Sequence, residues 1–230
     1  MSGQLSKAEE MVATFRTLLR SSDLNVDSIF DKLNEASNAH KTLLCDQTVN
    51  RRLGISFKRF LENGEHELTL EVRNRMLYEL EEIDFGCTIL TYGFLKEMHF
   101  PYIFTIDGSG EVTHRQNFAA IGSGGTVAES VLYQRHQDSI LDVNTTLYHV
   151  YEASRVAYLS GAPGVGKINR FLVLEPTADR TNIRARAVKS EFVEQLELFF
   201  GQYGPKPLTR VPVLSEDFYW YLEDSAETKP

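Results

Sequence analysis

The sequence predicts an α+β protein. Three observations carry this reading. Residues 4–83 place apolar side chains at helical spacing. From Gly86 the texture changes to β-branched and aromatic runs cut by glycine-containing turns. Beyond that, helical and strand patterns arrive in blocks and not in strict β-α alternation. The chain has 230 residues, of which 42% are hydrophobic, enough to build a core. We expect a helical part over 1–85, strands and helices over 86–205, and an extended segment with a tail over 206–230, within a single domain.

The elements follow in order. Over 4–21, Leu5, Ala8, Val12, Phe15 and Leu19 form one stripe, and Ser6 with Glu9 fits a capping box. Asp23 to Asn25 break this helix. A second helix has Ile29, Phe30, Leu33, Ala36 and Leu44 as its apolar positions, with a turn near Arg51, Arg52 and Gly54. Ser56 to Leu61 reads as a short helix stopped near Asn63-Gly64, and Leu70 to Ile83 as a helix with Val72, Met76, Leu77 and Leu80 on one side. "CTILTYGF" is a strand. Asp107 to Gly110 is a hairpin loop between strands 102–106 and 111–121. Val127 to Gln134 and Thr145 to Leu159 are helical. "INRFLVLEP" is a strand ended by Pro176, "TNIRARAV" is one more, and Lys189 to Phe200 form a closing helix. "GPKPLTRVP" is an extended connector and "SAETKP" a tail.

Charge and cysteine usage exclude several classes. The net charge is −8 and the pI about 5.3. An acidic chain gains nothing from a phosphate backbone, so nucleic acid is not expected as a partner. No apolar run reaches bilayer length and the N-terminus lacks a signal-peptide layout, so we expect a cytoplasmic protein with no membrane partner. Cys45 and Cys87 are expected to be reduced. The six histidines are scattered, and His66-Glu67 is followed by Leu68-Thr69-Leu70, which misses the H-E-x-x-H spacing. Neither a metal nor a cofactor is expected.

"SGAPGVGKINRFLVLEP" places Gly161, Gly166 and Lys167 at the positions of G-x-x-x-x-G-K-[ST]. A phosphate loop needs a strand before it and a helix after it, so that helix N–H groups face the phosphates. Here a helix precedes and a strand pattern follows, and Ile168 replaces the magnesium-binding hydroxyl. We expect a glycine and proline turn, and keep a nucleotide-binding protein using Gly161 to Lys167 as the alternative. "FAAIGSGGTVAESVL" has the better order, strand then loop then helix. Gly122-Ser123-Gly124 stand where N–H groups meet an anion, although Val127 breaks a dinucleotide fingerprint.

These pieces together resemble a family. "ILTYGF…FPYIFTIDGSGEVTHRQNFAAIGSGGTVAESVL", an amphipathic helix and "GVGKINRFLVLEP" look like the second half of a proteasome-type subunit, as found in proteasomes and bacterial ring peptidases. The matching features are Gly93, Asp107, Gly110, Ala120 to Gly124, Glu152-Ala153 and Gly164 to Gly166, over roughly 86–176. "SGQLSKAEEMVATFRTLL" is similar to the start of the family's first long helix. The resemblance implies an αββα two-sheet sandwich of the N-terminal nucleophile hydrolase type, with threonine-peptidase chemistry. It also implies like subunits in a ring or homo-oligomer and a polypeptide substrate. Ser123 is then a catalytic helper, and Gly122 and Gly124 belong to the oxyanion turn.

The sequence departs from that plan. The family's threonine-led strand and lysine precede its first helix, and here a helix starts near residue 4, so the sandwich is expected to be incomplete at its N-terminus. Met1 removal would expose Ser2, but Ser2-Gly3 read as a helix cap or a disordered start, not as the opening of a strand. The element R-D-x-x-S-G has its echo in Arg155 to Gly161, with Val156 in place of the carboxylate and one residue of extra spacing. The expectation is therefore a non-catalytic proteasome-like subunit. An α+β interaction module docking through "EDFYWYLED" is a further alternative, against the plainer reading that Trp220 packs the C-terminus on the body.

Overall fold

In the computed structural model the described residues are 2–3, 5–19, 25–95, 101–167, 170–177, 183–204, 215 and 219–221. The protein is α+β, and its contacts divide it into two units. One comprises Met1–Thr91 and Phe104–His114, the other Tyr92–Ile103 and Arg115–Pro230.

The first unit is mostly helical, with β1 Ser2–Gly3, α1 Leu5–Leu19, α2 Val26–Leu53, α3 Phe57–Glu67 and α4 Leu70–Glu81. Helix α2 is set at both ends by its sequence. Asn25 Oδ1 accepts from the Ser28 N–H at 2.7 Å, and Ser28 Oγ accepts from the Asn25 N–H at 2.8 Å, a reciprocal capping box. Gly54 ends it in the left-handed region at φ 69°, where glycine alone has no Cβ penalty. Between these ends Ile29, Leu33, Ala36, His40 and Val49 are buried, and Met11 and Phe15 of α1 are buried in the same unit. Each such large apolar side chain contributes about 1.5–3 kcal/mol when fully buried. Cys45, Val49, Phe60, Met76 and Leu80 form a second cluster. Asp46 accepts from the Phe57 N–H at 2.8 Å and so ties the start of α3 to α2.

A four-stranded sheet has the order β1-β2-β3-β4, with β2 Cys87–Phe94, β3 Pro101–Ile106 and β4 Val112–Arg115. Asp107 Oδ1 holds the β3–β4 loop by accepting from the N–H groups of Ser109 and Glu111 at 2.9 and 3.0 Å. The Ser37 hydroxyl on α2 donates to the Gly110 carbonyl at 2.6 Å. Gly110 has φ 88°, and a Cβ there would lie 2.7 Å from Phe85 Cζ. Glycine is required on both counts.

The second unit holds α5 Gly125–Gln134, α6 Val143–Leu159, β5 Leu172–Pro176, β6 Ile183–Val188, α7 Ser190–Tyr203 and β7 Tyr219–Tyr221. The three strands form an antiparallel sheet of order β5-β6-β7, in register from Leu172↔Ala187 to Pro176↔Ile183 and with Ala187↔Trp220. Asp142 caps α6 by accepting from the Asn144 and Thr145 N–H groups at 2.9 and 3.0 Å. Its core joins Leu147, Tyr148 and Tyr151 of α6 to Val188, Phe192 and Leu196, flanked by Phe171, Phe199 and Phe200.

Several expectations are corrected. Ser2-Gly3 do form a strand, short and antiparallel to β2, with Ser2↔Thr88 and Gly3↔Cys87. Ser6 lies inside α1, so it is not the cap. Helix α3 runs through Asn63-Gly64, because Gly64 is buried with the Phe60 ring and the Leu68 side chain against it. The stop comes at Leu68, after which Thr69 caps α4. Strand β4 ends at Arg115, not at 121. Phe118 leaves the ladder to pack on Val131, Leu132 and Ala153, and the Ala120 N–H bonds Glu129 of α5 at 3.2 Å. Strand β5 begins at Leu172. The connector 204–212 and the tail lie, apart from Gly204, outside the described residues. No helix among the described residues is long and apolar enough to cross a membrane.

Candidate functional site

The two glycine clusters meet in the second unit. Gly122 (φ 93°), Ser123 and Gly124 turn the chain into α5, whose first residue is Gly125. Gly124 occupies the cap position and has no side-chain capping bond. Gly161 (φ 73°) and Gly164 (φ 77°) turn the chain out of α6. The Ser123 hydroxyl donates to the Pro163 carbonyl and ties one turn to the other. A Cβ on Gly124 would lie 2.8 Å from Val165 Cγ2 and 3.1 Å from Ala157 Cβ. Glycine at 124 is thus what admits the second turn against the start of α5.

Residues singled out in both glycine clusters are therefore neighbours, and Gly161 to Lys167 form the expected turn. Ser123 spends its proton on a backbone carbonyl. Lys167 does not open a helix: α6 precedes the turn and β5 follows, and its Nζ pairs with Glu197 Oε1 on α7 at 3.1 Å. A phosphate loop needs the opposite order, and this overturns the nucleotide-binding reading of Gly161 to Lys167. Val156, which stands where a carboxylate was sought, packs on the cluster of Val131, Leu132 and Ala153. Among the described residues no group of three or more His, Cys, Asp or Glu could hold a metal ion. Trp220 lies on β7, which pairs with β6, while 216–218 and 222–224 of the "EDFYWYLED" stretch lie outside the described residues.

Sequence reasoning missed the pairing of a buried polar group between the end of α5 and α6. Arg135, just past α5, forks both oxygens of Glu152 on α6 at 2.6 Å, and Glu152 is 1% exposed. The hydrogen bond and charge of Glu152 raise the pKa of Arg135 further. Tyr148, fully buried one turn away, has no hydrogen-bond partner for its hydroxyl, and burial with the Glu152 charge pushes its pKa up to about 12. Next to it, His149 Nδ1 and Gln137 Oε1 are 2.8 Å apart, and Gln137 Nε2 donates to Thr146 Oγ1 at 3.2 Å. Burial, helped by the Arg135 charge, lowers the His149 pKa. This group fixes the α5–α6 connection onto α6. A second ionic cluster lies at the end of α6, where Arg155 Nη2 and Lys167 Nζ share Glu197 Oε1.

The mixed helix and sheet is consistent with what a comparison with known families finds. Residues 47–158 match the family model described as Proteasome subunit, a match that supports the proteasome-type resemblance. That family carries the N-terminal nucleophile hydrolase fold, so the matched segment is that of a proteasome-like, peptidase-fold subunit. The match takes in the β2 to β4 strands, the Gly122 to Gly124 turn, α5 and α6. It reaches further toward the N-terminus than the motifs over 86–176, and it leaves Gly164 to Gly166 and α1 outside. No curated protein matches the chain.

Proposed function

We propose that this chain is a non-catalytic member of the proteasome-type family, acting through association with like subunits in a ring or homo-oligomer in the cytoplasm. The reading includes an αββα sandwich as the full architecture, with the 86–205 region as its main body. One observation carries the non-catalytic assignment: the Ser123 hydroxyl is committed to the Pro163 carbonyl while Val156 stands in an apolar cluster. A helper hydroxyl must be free to exchange a proton with an amine, and an orienting acid must carry a charge. The Pro163 bond of Ser123 and the apolar setting of Val156 support the reading that these conditions are not met, and Gly124 serves to admit the second turn against the start of α5.

The test pairs hydrolysis with mass. The purified chain is incubated with fluorogenic peptides of acidic, basic and apolar character, and its size is measured by sedimentation velocity. We expect no turnover and a species larger than the monomer. Peptide cleavage lost in Ser123→Ala would overturn the non-catalytic reading. A monomer at all concentrations would overturn association with like subunits.

A further inference from the structure

We propose that Arg155, Lys167 and the turn between them form a binding site for a small oxyanion, phosphate or carboxylate. This goes beyond the peptidase-fold reading and does not depend on it. Two cations converge on one oxygen of one carboxylate: Lys167 Nζ at 3.1 Å and Arg155 Nη2 at 3.4 Å from Glu197 Oε1. These three side chains sum to one positive charge, in a chain whose net charge is −8.

The guanidinium is the more telling half. It is held by α6 against the Tyr158 ring, 5.1 Å from Cζ to the ring centre, and its side chain is only 17% exposed. It donates one long bond to Glu197, and its Nη1 has no acceptor. A guanidinium this far from water ordinarily forks an oxyanion with two short bonds. Glu197 does not supply the fork, because its Oε1 is shared with Lys167. Lys167 is 57% exposed and gives the cluster a side open to solvent. The intervening backbone also leaves room, since Gly161 and Gly166 have nothing within 4 Å of where a Cβ would stand. Arg155 is thus the preset floor of the site and Lys167 its movable arm, with Glu197 as the internal competitor.

The experiment titrates the full chain with sodium phosphate and, separately, with sodium acetate at fixed ionic strength, read by calorimetry. We expect saturable binding of at least one anion, and the stronger of the two identifies the ligand class. Lys167→Met, at an exposed side chain where the fold is retained, is expected to weaken binding about tenfold. Glu197→Gln removes the competitor and is expected to tighten it. No saturable binding of either anion to the unmodified chain overturns the proposal, as does equal affinity in Lys167→Met.

Discussion

Glu152 is a carboxylate taken almost entirely out of water, with both of its oxygens held by the Arg135 fork. Glu152→Gln leaves a part-buried guanidinium without its counter-charge, and we expect it to cost about 3–5 kcal/mol, measured as a shift in the urea midpoint. Adding Arg135→Met should recover much of that loss. His149 gives the complementary pH test. Its folded pKa lies below the ordinary 6.5, so the unfolded chain binds more protons in that window. Stability should therefore fall as pH drops below about 6.5, down to the folded pKa, and stay flat above it. His149→Gln should flatten the decline in melting temperature over that range. Glu152 stands out in the sequence only as a family feature beside Ala153, and neither its pairing with Arg135 nor the setting of His149 was legible. Arg135 and Glu152 lie 17 positions apart on either side of a connection whose path no periodicity specifies. The Asn25–Ser28 capping box, by contrast, acts within four residues, although the sequence alone points to a box at Ser6 and Glu9 instead.

At the scale of elements, the lesson is in the two glycine turns. Gly124→Ala puts a Cβ 2.8 Å from Val165 Cγ2, and overpacking of this kind costs about 1–3 kcal/mol. Thermal melts should show the loss, and Val165→Ala in the same chain should restore most of it. The turns themselves were legible, since Gly, Pro and Ser crowd there. Their contact was not, because Ser123 and Pro163 meet only after α5 and α6 have packed together. Helices α2, α4 and α6 followed from apolar spacing. Two boundaries misled for related reasons. Asn63-Gly64 looks like a stop, yet Gly64 is buried in a continuing helix with the Phe60 ring against it. The apolar run to Ile121 looks like a strand, yet Phe118 has a better use covering α5.

For the whole molecule, charge is the property the sequence states most directly. The acidic excess disappears near pH 5.3, so mutual repulsion between copies fades on acidification. Light scattering should show reversible self-association rising as pH falls from 7 toward that value, and 1 M urea or added charge on the surface should oppose it. The α+β class was readable from block order alone. The family was readable from the sequence of weak motifs, none of which would have sufficed singly, and the matched region 47–158 includes most of them.

Strand β1 has a kinetic consequence. It joins the first residues of the chain to Thr88 and Cys87, with four helices intervening between the two partners. Helices α1 to α4 can form from local contacts, whereas this pairing must wait for a long segment to be brought round, and it returns only two residues of ladder for that loss of freedom. It is therefore a late clasp: weakening it should hasten the opening of the chain while leaving the speed of its initial collapse unchanged.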